Sequence, residues 1–211
     1  MLLLFASTVA LVFLILCLSE YWWRRHPSDS ELSRKFVHVT VGSFVAFWPF
    51  FLSWNQIRLL SVAFVIVVLV SKWLNVFQAI HSVQRPTWGE IYFALVVGLL
   101  TFITHSKAVY AAALLQMSLA DGMAAIVGVE YGIKRGRKYH VFGHAKTIIG
   151  TLTFFVVSFA LLFGYSADTS RLSLAWVGAI AAGATVLENL AVAGVDNLLV
   201  PLLVALILTN V

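Results

Sequence analysis

Asp121 stands in Ala120-Asp121-Gly122-Met123-Ala124-Ala125-Ile126-Val127-Gly128-Val129-Glu130-Tyr131-Gly132, where Asp121, Ala125, Gly128 and Gly132 share one helical face. Small residues at steps of four are an ordinary packing stripe between membrane helices. A carboxylate in that stripe is not explained by packing, because burying it ionised costs several kcal/mol unless a cation or donor meets it. Two more acids stand at the edges of later apolar runs, in Glu188-Asn189 and Asp196-Asn197. Carboxylates and an amide on two helix ends are suitable hard-oxygen ligands for Mg²⁺, with helix capping by Asp196 as the alternative.

The basic side chains point to a phosphate. In Gly143-His144-Ala145-Lys146-Thr147-Ile148-Ile149-Gly150-Thr151, Gly143 permits tight backbone geometry and Lys146 offers a point charge. Thr147 opens a helix whose free N–H groups favour anions. The spacing is not that of a Walker A loop. Upstream, Lys134, Arg135, Arg137 and Lys138 form a cluster that membrane orientation explains equally well. In Glu31-Leu32-Ser33-Arg34-Lys35-Phe36-Val37-His38, helical spacing brings Arg34 to His38 and Glu31 to Lys35. A histidine one turn inside an apolar run has no part in interfacial anchoring, so His38 is a candidate for function. Glu90, in Trp88-Gly89-Glu90, is either a charge partner for a helix N-terminus or a catalytic acid. His26, His81, His105, His140 and His144 show no zinc-binding spacing.

The elements that must hold these residues are membrane spans. Of 211 residues 61% are apolar and 11% charged, against roughly 25% charged in soluble domains. Apolar runs at 2–18, 36–54, 57–74, 91–105, 108–132, 147–166, 172–188 and 197–209 each approach the length that crosses a bilayer as a helix. The expected fold is therefore all-α: one polytopic integral membrane bundle over residues 1–211 with about eight transmembrane helices, or seven if the last run is re-entrant. Asp121-Gly122 and Pro201 are places where the fifth and eighth helices are expected to break or tilt. Trp22, Trp23, Trp48, Trp54, Trp73 and Trp88 fit interfacial belts.

Charge sets the expected orientation. Arg24, Arg25, Arg34, Lys35, Lys72, Arg85, Lys134, Arg135, Arg137, Lys138 and Lys146 fall at one face, and only Arg58, Lys107 and Arg171 at the other. The positive-inside rule makes the first face cytoplasmic and the N-terminus external. The net charge of +5 is thereby explained without a nucleic-acid partner. A single cysteine, Cys17, excludes an internal disulfide and a multi-cysteine metal site. The run around it lacks a cleavage signature and is expected to stay as a signal anchor. All the acids except Asp168 gather at or near the basic face, a pattern of a phosphate and metal site.

In order along the chain, Arg34-Lys35-x-x-His38, Gly89-Glu90, Asp121-x-x-Ala124-x-x-x-Gly128-x-x-x-Gly132, Lys146-Thr147-x-x-Gly150-Thr151, and Glu188 followed by Asp196-Asn197-x-x-x-Pro201 resemble the CTP-dependent prenol and lipid kinases. That family comprises dolichol kinase, phytol kinase and the yeast-type diacylglycerol kinase, and is distantly similar to phosphatidate cytidylyltransferase. The resemblance implies transfer of the γ-phosphate of CTP to the hydroxyl of a membrane alcohol, at the cytoplasmic face and with a divalent metal such as Mg²⁺. The chain lacks the K-D and D-R-x-D signature of the cytidylyltransferase, which makes CDP-lipid synthesis the lesser alternative.

Residues and resemblance together assign the metal to Asp121, Glu188 and Asp196. They assign the nucleotide to Arg34, Lys35, Gly128, Lys134, Gly143, Thr147, Gly150 and Asn197, and catalysis to Asp121, Lys146, Glu90 and His38. Either Asp121 or Glu90 is the base for the alcohol's proton. From a different class, a small transporter with Asp121, Glu188 and His38 on an ion path is the rival expectation.

Overall fold

The computed structural model of the chain describes residues 2–25, 30–74, 88–135, 137–170 and 172–211. Among the described residues eight long helices follow one another: α1 (Leu2–Arg25), α2 (Ser30–Ala46), α3 (Trp54–Trp73), α4 (Gly89–Ile103), α5 (Lys107–Gly132), α6 (Ile148–Thr169), α7 (Leu174–Leu190) and α8 (Asp196–Asn210). Among the described residues α1, α3, α5 and α6 have the length and apolarity to cross a membrane, and α4, α7 and α8 are shorter apolar helices. This is a helical bundle of the kind that membrane proteins build.

Contacts between helix ends show that α3 and α4 run antiparallel and which other helix ends lie beside theirs. At one end the Lys72 ammonium lies over the Trp88 ring, Trp88 N–H donates to the Ala193 carbonyl, and Asn197 Nδ2 donates to the Gly89 carbonyl. At the other, Arg58 donates to both the hydroxyl and the carbonyl of Thr101, and Trp54 meets His105 and Tyr110 edge-on. Chemistry-bearing residues collect at the first end.

The middle of the bundle is α5. Ala111, Ala112, Ala113, Ala120 and Ala124 are buried along it, and α2, α6 and α8 pack around it. Lipid tails are as apolar as a protein core, so helices in a membrane gain by close backbone approach, which small side chains permit. By contrast α1 and α3 expose Phe13, Leu14, Leu18, Leu59, Ile66 and Val67, as lipid-facing helices do.

Three expectations need correction. The helix placed at 36–54 spans Ser30–Ala46, because Pro49 supplies no N–H and biases Trp48 away from α geometry; Trp48–Phe50 is a 3₁₀ turn. α5 runs unbroken through Asp121-Gly122, its irregularity taking the form of π turns at Gln116–Ala120 and Gly128–Gly132. α8 likewise continues through Pro201, which has no N–H to give the Asn197 carbonyl four residues back. Trp48, in that 3₁₀ turn, is 5% exposed and packs edge-on against Phe44.

The bundle is also not purely helical. β1 (Tyr139–Val141) and β2 (His144–Lys146) form an antiparallel hairpin in which Tyr139 pairs with Lys146. Phe142 and Gly143 both have positive φ, the requirement of the tightest hairpin turns. Strands of three residues are too short for alternation to reveal them.

Candidate active site

Asp121 follows directly on the first π turn of α5 and is buried. Lys35, from the second turn of α2, donates to its Oδ2 at 2.5 Å. His38 Nε2 lies 3.6 Å from the same oxygen and 3.1 Å from the Met117 carbonyl within the π turn. Such turns displace carbonyls from the regular ladder and recur at functional sites. Sequence spacing pairs Lys35 with Glu31, whose side chain lies outside the described residues; the partner found for it is Asp121.

Two glycines make this meeting possible. A Cβ on Gly122 would fall 2.1 Å from Val39 Cγ2, and one on Gly42 would fall 2.5 Å from Ser118 Cβ, so α2 lies hard against α5. Gly122→Ala is therefore expected to push α2 outward, costing about 1–3 kcal/mol by overpacking. Thermal unfolding in detergent measures the loss, and activity should fall with it because Lys35 and His38 ride on α2.

The second and third acids come from the helix ends. Glu188 lies in the last turn of α7 and is bonded through Oε1 to the Lys146 ammonium, which also donates to the Glu188 carbonyl at 3.0 Å. Lys146 thus neutralises a carboxylate and caps a helix C-terminus together. Asp196 opens α8 after a turn in which Ala193 and Gly194 have positive φ. Alanine there is strained, and such strain clusters at functional sites. Ligand oxygens of Asp121, Glu188 and Asp196 all lie within 4.8 Å of one another.

Three carboxylates so close, offset by the two ammonium groups of Lys35 and Lys146, retain one excess negative charge. A hard divalent cation fits this all-oxygen set, and its added charge would leave the site positive enough to receive a polyphosphate. The cleft around them is lined further by Gly128, His144, Thr147, Gly150, Thr151 and Asn197.

Thr147 caps α6, its hydroxyl oxygen accepting from Gly150 N–H at 3.1 Å. Gly128 and Gly132 give the backbone clearance that seats it: a Cβ on Gly132 would overlap Thr147 Cβ at 2.6 Å, and one on Gly150 would approach the Ala124 carbonyl at 3.0 Å. Gly128 and Gly150 are thus close-packing positions as well as cleft lining. Gly143 is the hairpin turn and does not line the cleft. The side chains of Arg34 and Lys134 lie outside the described residues.

The hairpin is tied down by Tyr139, whose hydroxyl lies 2.6 Å from both Thr151 Oγ1 and Asn189 Oδ1. Apart from Gly194, two residues before Asp196, nothing in the sequence marks this anchor, the turn at Ala193-Gly194 or the place of His144 in the cleft. Glu90 is not among the cleft residues. It lines a neighbouring apolar cavity with His38 and Asn197, and Asn197 lines both spaces.

No protein-family model and no solved structure matches the chain. A phytol kinase of Synechocystis sp. (strain ATCC 27184 / PCC 6803 / Kazusa) is 34% identical to it over 188 residues, covering 85% of this chain and 79% of that enzyme. Similarity at that level across most of both proteins shows that the chain belongs to the phytol kinase family and is a phosphotransferase with an alcohol group as acceptor.

Proposed function

We propose that the chain transfers the γ-phosphate of CTP to the hydroxyl of a membrane isoprenoid alcohol, phytol or a related prenol, at the cytoplasmic end of a multi-pass bundle. The observation that carries this is the convergence of Asp121, Glu188 and Asp196 with Lys35 and Lys146 in one cleft. Phosphoryl transfer asks a protein mainly to place two oxygens in line and to neutralise spreading negative charge. Asp121, Glu188 and Asp196 would hold Mg²⁺, which would supply positive charge to offset the charge developing on the transferred phosphoryl group. Lys146 turns from Glu188 to the polyphosphate, and Lys35 keeps Asp121 oriented and adds positive charge beside it. The Thr147 cap fixes the start of α6 against the cleft, where backbone N–H groups favour an anion.

CTP as donor rests on the resemblance to the prenol kinases, and the cytoplasmic placement on the basic residues at the site's end of the bundle. An apolar acceptor arriving from the bilayer explains why an enzyme for a water-soluble nucleotide consists of apolar helices.

The direct test uses purified protein in detergent with γ-labelled CTP, ATP, GTP or UTP and a panel of farnesol, phytol, undecaprenol, dolichol and diacylglycerol. Label is expected on phytol or another prenol, from CTP in preference to the other nucleotides, and only with a divalent cation present. Label on none of the alcohols would sink the proposal. Transfer of CMP to phosphatidate would replace it with a cytidylyltransferase.

A further inference from the structure

We propose that the apolar cavity between α1, α2, α3 and α4 is the acceptor subsite, and that Glu90, rather than Asp121, receives the hydroxyl proton of an isoprenoid alcohol held there. This rests on the kinase function proposed above. The cavity is walled by Leu16, Val37, Val41, Phe64, Val68 and Phe93. Apart from His38, Glu90 and Asn197 its lining is apolar. Two of these join the cavity to the donor cleft: Asn197 lines both spaces, and His38 stands 3.6 Å from Asp121. Glu90 is next in the chain to Gly89, whose carbonyl accepts from Asn197 Nδ2.

Two oxygens on this boundary are anomalous. Glu90 Oε1 and Asn197 Oδ1 are buried without a hydrogen-bond partner among the described residues. Native structures keep few such atoms, because a desolvated acceptor without a donor costs stability. An alcohol brings one O–H donor, which matches the unpartnered Glu90 Oε1, and an apolar chain whose hydroxyl end fits an apolar cavity of about 50 Å³. Asp121 is differently placed: its Oδ2 already accepts from Lys35 and has His38 3.6 Å away, and it clusters with the other two carboxylates. α1 and α3, which wall the cavity, present most of their apolar surface outward, the side from which a prenol would come.

The step balances with these groups alone. The Glu90 carboxylate takes the O–H proton as the alcohol oxygen bonds to the γ-phosphorus. The bond from that phosphorus to the β–γ bridging oxygen breaks, and its electron pair leaves with the nucleoside diphosphate.

Two kinetic variants and one labelling experiment test the assignment in nanodiscs. Glu90→Gln keeps the shape but cannot take the proton, so kcat should fall at least about 100-fold with acceptor KM little changed, and Glu90→Asp should recover part of it. Val41→Trp fills the cavity and should raise acceptor KM at least about tenfold while nucleotide KM stays within about twofold. A photoreactive farnesol analogue on the unmutated protein should label α2 and α3 between Val37 and Val41 and between Phe64 and Val68, competed by unlabelled prenol. Labelling confined to lipid-facing positions such as Leu59 and Ile66, or near-normal kcat in Glu90→Gln, would overturn the subsite while leaving the kinase intact. Competed labelling in a protein that phosphorylates no alcohol would keep the prenol site and refute the kinase.

Discussion

Asp121→Asn is expected to lower phosphoryl transfer by at least about 10³-fold, or ~4 kcal/mol of transition-state stabilisation. The side chain keeps its shape, but one of three charges that gather a divalent cation is gone. The same change leaves the Lys35 ammonium, only 9% exposed at its side chain, facing a neutral amide. Removing the direct partner of a buried ammonium costs up to about 3–5 kcal/mol, so the unfolding midpoint should fall as well. The double variant Lys35→Met with Asp121→Asn separates the two effects. It removes the stranded charge and should recover much of the stability, while activity stays lost. Recovery of activity with stability would show that Asp121 serves the fold and not the reaction. Both quantities are read from thermal unfolding and labelled transfer in the same detergent preparation.

Lys146→Met should act in two opposed directions. In the resting site Lys146 is the partner of Glu188, so it competes with any cation for that carboxylate. Removing it leaves three carboxylates facing Lys35 alone, and Mn²⁺ binding without nucleotide should tighten severalfold. The polyphosphate meanwhile loses its point charge, so nucleotide KM should rise and kcat fall by about 100-fold. Mn²⁺ titration followed by electron paramagnetic resonance and steady-state kinetics measure the two sides. Loss of Mn²⁺ affinity in this variant would contradict the placement of the metal at Glu188. Lys146→Arg should recover little, because a planar guanidinium cannot cap the α7 carbonyl and bond the Glu188 carboxylate as a compact ammonium does.

The contrast between Asp121 and its partners shows what a linear chain reveals. Asp121 was legible because a carboxylate inside a small-residue stripe violates the cost of burial, and that cost is visible without coordinates. Its counter-charge was not. Glu31 stands four residues before Lys35 and satisfies the local rule, whereas the partner in the fold is 86 residues away. Helix-end acids at Glu188 and Asp196 were legible as hard-oxygen donors, but their closeness to Asp121 depends on three helices meeting. Glu90 read equally well as a helix-end charge or as a base. Only its orphaned oxygen in an apolar cavity sets it apart from the cleft acids.

The sequence by itself determined the bundle of apolar helices, the end at which its acidic and basic residues gather, and the acids and bases available, because run length, charge asymmetry and burial cost are properties of local composition. Tertiary structure alone decided the Lys35–Asp121 and Lys146–Glu188 pairs, the hairpin that carries Lys146, and the division into a charged cleft and an apolar cavity. Each of these depends on how closely two backbones approach. Gly42 and Gly122 set that approach between α2 and α5, and Gly128, Gly132 and Gly150 set it between α5 and α6. A glycine in a sequence permits close contact without saying which helix makes it.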